Sequence, residues 1–170
     1  MTRRKTNMTK NITFAATALV VTVTSIGLAG SPVTAVYGHD KHVTFSAGVP
    51  GNPKKPARVV VIAMREGDGK MLYSPDQIMV RKGEQIRFIL KNDGELDHEF
   101  LLATTEENLK HAEMMKRYPD MEHDDPNGRR LKPKEKSGIV WRFTKVGEFE
   151  FACLIPGHRE SGMFGRIDVK

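Results

Sequence analysis

The chain has 170 residues, 39% of them hydrophobic and 28% charged, which suits one globular domain with a short extension. This composition excludes a protein with several membrane spans and a collagen-like or low-complexity chain. The net charge of +6 comes mostly from four basic residues within the first ten, because the first 38 residues contain no acid and the remainder is close to neutral. The charge therefore gives no reason to expect nucleic-acid binding.

Residues 1–38 have the layout of a secretory signal peptide. A basic start is followed by the uncharged run 12–30, and Val33-Thr34-Ala35 supplies small residues of the kind that a signal peptidase recognises, with Val36-Tyr37-Gly38 as a second possible site. An uncleaved anchor helix is the alternative, because the run is nearly long enough to span a bilayer. Its Thr and Ser residues favour cleavage. We therefore predict export to the periplasm, with no membrane attachment after cleavage.

The mature chain predicts an extended lead-in over residues 39–56 and one domain over residues 57–170. The lead-in is rich in Pro and Gly, whereas the domain contains short β-branched and alternating segments separated by turns. Strands are predicted over 58–64, 71–81 with a break at Pro75, 85–90, 99–103, 138–144, 148–153 and 164–169.

One helix interrupts this series of strands. Thr104 and Glu107 have the spacing of a capping box, and Pro119 ends the helical pattern. Helical spacing predicts that Met115 points to the core together with Leu109 and Ala112, and that Met114 faces elsewhere. Residues 120–136 are polar and predict a loop. The whole pattern predicts an all-β fold, a Greek-key β-sandwich or barrel with one short helical insertion.

The segment 153–163 contains the only cysteine of the chain and the residues that best suit a metal site. Cys153, His158 and Met163 are each separated by four residues and lie between two predicted strands. Thiolate, imidazole and thioether together suit copper, and one Cys with two His and a weak Met is the blue-copper ligand set. His98, at the start of a predicted strand, supplies the second imidazole.

Each of these residues also has an ordinary structural interpretation. Cys153 can be a small buried hydrophobic residue, since the chain can form no internal disulfide. Met163 alone is more often a core residue, and His98 alone is more often a hydrogen-bonded histidine at a strand end. The four together, in an exported β-rich domain, favour one bound copper ion.

The chain resembles the cupredoxins, the family of azurin, plastocyanin and auracyanin. The resemblance is carried by Tyr73-Ser-Pro75 with Ile78–Gly83, by His98, by Gly147–Cys153, and by Pro156-Gly157-His158 to Met163. The ligand loop looks most like that of auracyanin, and the helical insertion is similar to periplasmic cupredoxin-like proteins linked to copper tolerance. The resemblance implies a type 1 copper centre with Cys153, His98 and His158 as equatorial ligands and Met163 as the axial ligand.

The resemblance also implies features around this site. Electron carriers of the family commonly have Asn after the first ligand histidine, where this chain has Glu99, and Asn92 lies nearby. An apolar collar around His158, through which a redox partner would dock, is expected from Leu154, Ile155, Pro156 and Phe164. The alternative is that these residues only cover the metal from water.

Two weaker copper sites are also possible. His111 and Met114 from the helix, with Met121 or His123 from the following loop, offer donors for Cu(I). His39 and His42, near a new N-terminus, offer donors for Cu(II).

Two functions share the predicted site. One is periplasmic copper handling or tolerance with one-electron chemistry at the copper, and the other is diffusible electron transfer between respiratory redox partners. A copper enzyme is not expected, because Ala152 and Leu154 flank Cys153 where further ligands would be needed.

Overall fold

The computed structural model describes residues 44–119 and 125–170. Its elements in chain order are β1 (Gly48–Pro50), β2 (Arg58–Gly67), β3 (Lys70–Ser74), β4 (Gln77–Val80), β5 (Gln85–Asn92), β6 (His98–Ala103), α1 (Thr105–Arg117), β7 (Gly128–Leu131), β8 (Lys136–Phe143), β9 (Gly147–Ala152) and β10 (Phe164–Val169). The predicted signal peptide, His39, His42, Met121 and His123 lie outside the described residues. No helix in the described part of the chain is long and apolar enough to cross a membrane.

The strands form two five-stranded sheets. The first has the order β1-β8-β5-β2-β3, and the second has the order β4-β10-β9-β6-β7. The pairs β2–β5 and β4–β10 are parallel, and the other paired strands are antiparallel. The predicted break at Pro75 divides β3 from β4, which lie in different sheets. The prediction of an all-β sandwich with one helix is confirmed.

The core lies between the two sheets because the strands alternate in side-chain direction. On β5, Ile86, Phe88 and Leu90 are fully buried, as the period of two requires. Phe100 of β6 and Phe151 of β9 stack on each other in the facing sheet, with ring centroids 5.2 Å apart. Burial of these apolar side chains stabilises the fold by about 2 kcal/mol for each large residue.

Strand β6 differs from its neighbours because all six of its residues are buried. Its inner face contacts the core, and its outer face is covered by α1. Leu101 of β6 packs with Met115 of α1 and with Ala152 and Leu154 of the neighbouring segment. The helix therefore covers the middle of β6 and the start of the segment that follows β9.

Helix α1 begins as predicted, with Thr104 as N-cap in a complete capping box with Glu107. Met115 is buried and Met114 is exposed, as predicted. The prediction for Leu109 is wrong, because its side chain is 46% exposed and Asn108 is buried in its place. Asn108 lies on the Met115 face, and its amide donates to Glu150 Oε1 at 3.1 Å, so a hydrogen bond replaces apolar packing there.

Two short strands were not predicted. β1 lies within the segment predicted as an extended lead-in and pairs with β8. β7 lies within the polar segment predicted as a loop and pairs with β6 through His98 opposite Leu131. The sequence of β7, Gly-Arg-Arg-Leu, lacks the apolar alternation from which strands are predicted. An edge strand tolerates these charges, because Arg129 and Arg130 remain accessible to solvent there.

Candidate metal centre

Three of the residues predicted as metal ligands come together at one end of the sandwich. His98 is the first residue of β6, Cys153 directly follows β9, and His158 lies in the loop 153–163 that leads to β10. One ligand atom from each lies within 4.8 Å of the others. Cys153 Sγ and His158 Nδ1 are 3.3 Å apart. His98 and Cys153 are fully buried, and His158 is 8% exposed, so the site lies just beneath the surface with His158 at its accessible side.

The register of β6 and β9 explains why His98 and Cys153 meet. Leu101 lies opposite Ala152 in the antiparallel pair, so the residues after Ala152 run alongside the start of β6. The backbone N–H of Glu99 donates to Cys153 Sγ at 3.3 Å. A donor 54 residues away in the chain therefore fixes the sulfur position.

The loop 153–163 is a tight structure closed by its own backbone hydrogen bonds. The N–H of Met163 donates to the carbonyl of His158 at 3.1 Å, and the N–H of Cys153 donates to the carbonyl of Met163 at 3.1 Å. Gly157 and Gly162 have φ values of +89° and +101°, which only glycine adopts at low cost. Met163 is fully buried in the same core cluster as Cys153. The loop thus holds all three of its predicted ligand residues on the inner side of the fold.

The two ring nitrogens of His98 have different surroundings. Nε2 lies 2.8 Å from Glu66 Oε1, whereas Nδ1 is buried and has no hydrogen-bond partner among the described residues. A buried polar atom without a partner is costly, and the His98 ring lies beside that of His158, with ring centroids 5.3 Å apart, so a metal ion held between the two histidines and Cys153 would satisfy this nitrogen. The donor set of one sulfur and two imidazoles fits copper.

The protonation states follow from burial. Burial lowers the pKa of His98 and of His158, and for His158 the neighbouring His98 lowers it further. Both imidazoles are therefore neutral at pH 7, which is the form that binds a metal. Burial raises the pKa of the Cys153 thiol to about 12, and hydrogen bonds from the N–H groups of Glu99 and Ile155 oppose this only in part. The thiol is protonated without metal, so binding as a thiolate must expel that proton.

Glu99 links the start of β6 to the ligand loop. Besides its N–H bond to Cys153, its carboxylate accepts from the N–H of Leu154 at 3.2 Å. Tyr73 donates its hydroxyl proton to the Glu99 carbonyl. The carboxylate at this position therefore bonds directly to the loop. Asn92 instead holds the preceding turn, where its amide donates to the carbonyl of Leu96 at 2.7 Å.

The predicted apolar collar is only partly at the surface. Leu154 is buried against α1, so the expectation that it forms part of a docking surface is wrong. Ile155 is partly buried, Pro156 is exposed and Phe164 is 48% exposed. Arg159 lies over the Phe164 ring at 5.1 Å from its centroid.

The weaker sites predicted from sequence are only partly described. His111 is partly buried and Met114 is exposed, both on α1. Their predicted loop partners, and the histidines of the N-terminal pair, lie outside the described residues. These sites remain predictions.

Glu66 was not predicted from the sequence as a part of this site. It lies near the end of β2, 32 residues before His98. Its carboxylate also accepts from the N–H groups of Glu95 and Leu96. No local motif could have identified it, because the contact depends on the turn after β5 folding back over β2.

The β-sandwich and its buried set of one thiol and two imidazoles define a cupredoxin, a copper protein of this fold class. A model of the family described as copper binding proteins, plastocyanin/azurin family, matches residues 60–170, and the chain belongs to this family. The resemblance to the cupredoxins and the prediction of copper are confirmed.

Relatives and solved structures agree with this assignment. The chain is 43% identical over 141 residues to the copper-resistant cuproprotein CopI of Rubrivivax gelatinosus, covering 83% of this chain and 82% of that protein. It is 34% identical over 122 residues to the copper-resistant cuproprotein CopI of Vibrio cholerae, covering 72% and 71%. Auracyanin B superposes with a TM-score of 0.59 at 18% identity, covering 73% of this chain and 96% of that one. Auracyanin from Roseiflexus castenholzii superposes with a TM-score of 0.56 at 19% identity, covering 68% and 99%. At such identities the solved structures support the fold alone.

Proposed function

We propose that the protein holds one type 1 copper ion through Cys153 Sγ, His98 Nδ1 and His158 Nδ1, with Met163 as a weak axial ligand. The observation that carries this proposal is the buried Nδ1 of His98, which has no hydrogen-bond partner among the described residues, in a histidine that clusters with Cys153 and His158 with ligand atoms within 4.8 Å of one another. The full burial of Met163 beside Cys153 supports its axial role. Copper bound there would supply one-electron chemistry between Cu(I) and Cu(II).

The residues of the chain give this site its rigidity. The backbone bonds of the loop 153–163 and the bonds that Glu99 makes to Cys153 and Leu154 hold the donors in one arrangement. A fixed arrangement reduces the rearrangement that either oxidation state demands. The site is suited to holding copper and to passing one electron.

We propose that the biological role is periplasmic copper handling that confers copper tolerance. The relatives that support this are named copper-resistant cuproproteins, and the chain spans most of their length. Export by the signal peptide 1–38, with a mature domain over residues 57–170, belongs to the same proposal. Binding rather than catalysis is proposed because Ala152 and Leu154 flank Cys153 and offer no side-chain ligand.

Diffusible electron transfer is the second candidate. The exposed Pro156 and Phe164, close in sequence to His158, favour it, because an apolar surface beside a metal ligand suits brief docking of a redox protein. Such a partner would contact the His158 face.

Growth of a strain that lacks the gene tests the proposed role. We expect the deletion strain to grow normally without added copper and to be inhibited by excess copper. Wild-type protein should restore growth and Cys153→Ser should not, although it is exported to the same level. A growth defect on respiratory substrates without added copper, with unchanged copper tolerance, would favour the electron carrier instead.

Met163→Leu tests the axial ligand. Leucine has nearly the volume of methionine, so we expect a stability cost below about 1.5 kcal/mol and retention of copper. The reduction potential should rise, because loss of a donor to Cu(II) disfavours the oxidised state. The measurement is voltammetry of the copper-loaded variant beside thermal unfolding of the apo-protein. An unchanged potential would remove Met163 from the ligand set.

A further inference from the structure

The carboxylate of Glu66 is held in a fixed position under His98. Its Oε1 accepts from the N–H of Leu96 at 2.9 Å and lies 2.8 Å from His98 Nε2, and its Oε2 accepts from the N–H of Glu95 at 3.0 Å. Backbone N–H groups alone therefore fix both carboxylate oxygens, independently of the contact with His98. An acceptor fixed in this way constrains the imidazole more strongly than a mobile side chain would.

Gly94 makes this approach possible. A Cβ atom on Gly94 would lie 2.5 Å from Glu66 Oε2 and 2.7 Å from Oε1, which is closer than such contacts allow. Nothing in the φ of Gly94 itself excludes alanine, since this residue is not among the glycines with positive φ. The glycine therefore leaves space for the carboxylate.

Glu66 carries a full negative charge at neutral pH. Its two oxygens accept the N–H groups of Glu95 and Leu96, and such hydrogen bonds stabilise the ionised carboxylate. An acceptor that carries no proton can only accept the N–H of His98 Nε2. The hydrogen bond therefore fixes one tautomer, in which Nδ1 has the lone pair.

We propose that Glu66 is a positioning residue of the copper site, which fixes the Nδ1-binding tautomer of His98 and places a negative charge behind the imidazole that favours Cu(II) over Cu(I). This inference rests on the proposed role of His98 as a ligand. A carboxylate behind a metal-bound imidazole makes the nitrogen a stronger donor, and loss of such a partner commonly costs 10- to 100-fold in metal affinity. A purely structural Glu66, which only holds the turn at residues 95–96, would affect stability without changing the tautomer or the potential.

Three variants separate the charge from the position. Glu66→Gln removes the charge and keeps an acceptor oxygen for His98 Nε2 and the N–H of Leu96, at the cost of the bond from the N–H of Glu95. Gly94→Ala keeps the charge and displaces the carboxylate. Glu95→Gln is the matched control, because it removes an exposed carboxylate from the same turn. That carboxylate pairs with Lys134 at 2.6 Å and makes no hydrogen bond to His98. If Gly94→Ala does not fold, Glu66→Ala removes the acceptor in its place.

The first measurement uses the apo-protein and needs no copper. Imidazole ¹⁵N spectra should show His98 almost entirely with its proton on Nε2 in the wild type, in Glu66→Gln and in Glu95→Gln. Gly94→Ala should give a mixture of tautomers. If His98 keeps the Nε2–H tautomer in Gly94→Ala and in Glu66→Ala, the positioning role is wrong.

The second measurement is the reduction potential of the copper-loaded variants. Glu66→Gln should weaken Cu(II) binding relative to Cu(I) about tenfold, which corresponds to a rise of about 59 mV for a one-electron couple. Glu95→Gln should leave the potential close to that of the wild type. Equal shifts in the two variants, or no shift in either, would overturn the charge role. A copper spectrum that does not depend on Cys153 would instead overturn the proposed site, while the tautomer result would still stand for the apo-protein.

Discussion

Replacing Cys153 with serine is expected to abolish the intense visible absorption of the oxidised, copper-loaded protein. A thiolate bound to Cu(II) is the charge-transfer donor in a type 1 centre, and Cys153 supplies the only thiol of the chain. Serine is close in size to cysteine, and its hydroxyl can accept the N–H of Glu99 that now donates to Sγ. The fold should therefore persist while the band disappears. Visible spectra of the Cu(II)-loaded proteins, with circular dichroism to verify folding, make this measurement.

His98→Ala is the companion to this variant. It should weaken copper binding and open the site while the thiolate remains, so some charge-transfer absorption should survive with altered energy. A band that survives Cys153→Ser, or Cu(II) that binds to the wild type without any such band, would contradict the type 1 assignment.

The local part of the site could be predicted because the sequence brings its residues together. Cys153, His158 and Met163 lie within eleven residues, so a single loop that turns back on itself is enough to bring them together. His98 could be predicted only as a histidine at a strand start, since its meeting with Cys153 depends on the register of β6 and β9. Glu66 could not be predicted, because its contact with His98 requires the turn after β5 to fold back over β2.

The ends of helix α1 could be predicted from local signals, whereas its buried face could not, because there a hydrogen bond competes with apolar packing. The capping box and Pro119 define α1 through local hydrogen bonding and backbone geometry, and both ends of the helix agree with the prediction. The buried face of α1 was misassigned because a polar residue, Asn108, occupies it. Apolar periodicity cannot identify a buried amide whose burial is offset by a hydrogen bond to Glu150.

Glu150 is the centre of a buried polar network that joins the helix to the ligand loop. Its carboxylate accepts from Arg159 Nη2 at 2.8 Å and Nε at 3.1 Å, and also from the amide of Asn108. Arg159 directly follows His158, so the ion pair ties the residue after a proposed copper ligand to strand β9. Glu150 is buried, and the Arg159 side chain is 20% exposed. Solvent screening of this pair is therefore limited.

Arg159→Leu is expected to lower the free energy of unfolding of the apo-protein by about 3 kcal/mol. Removal of one partner from a buried ion pair costs about 3–5 kcal/mol, and the partial exposure of Arg159 places this case at the lower end. The matched control is Arg166→Leu, since the half-exposed Arg166 lies 3.9 Å from Glu148 and 3.4 Å from Asp168, and each of these pairs should contribute at most about 1 kcal/mol. Urea denaturation of the apo-proteins measures both.

The double variant Glu150→Leu with Arg159→Leu separates an uncompensated charge from lost packing. If the cost of Arg159→Leu comes from leaving the Glu150 carboxylate buried without its cation, removal of that carboxylate should restore part of the stability. Equal losses in Arg159→Leu and Arg166→Leu would show that the pair behaves as a surface contact. In that case the ligand loop is held by its own backbone hydrogen bonds and by Glu99, and the network at Glu150 contributes little to holding His158.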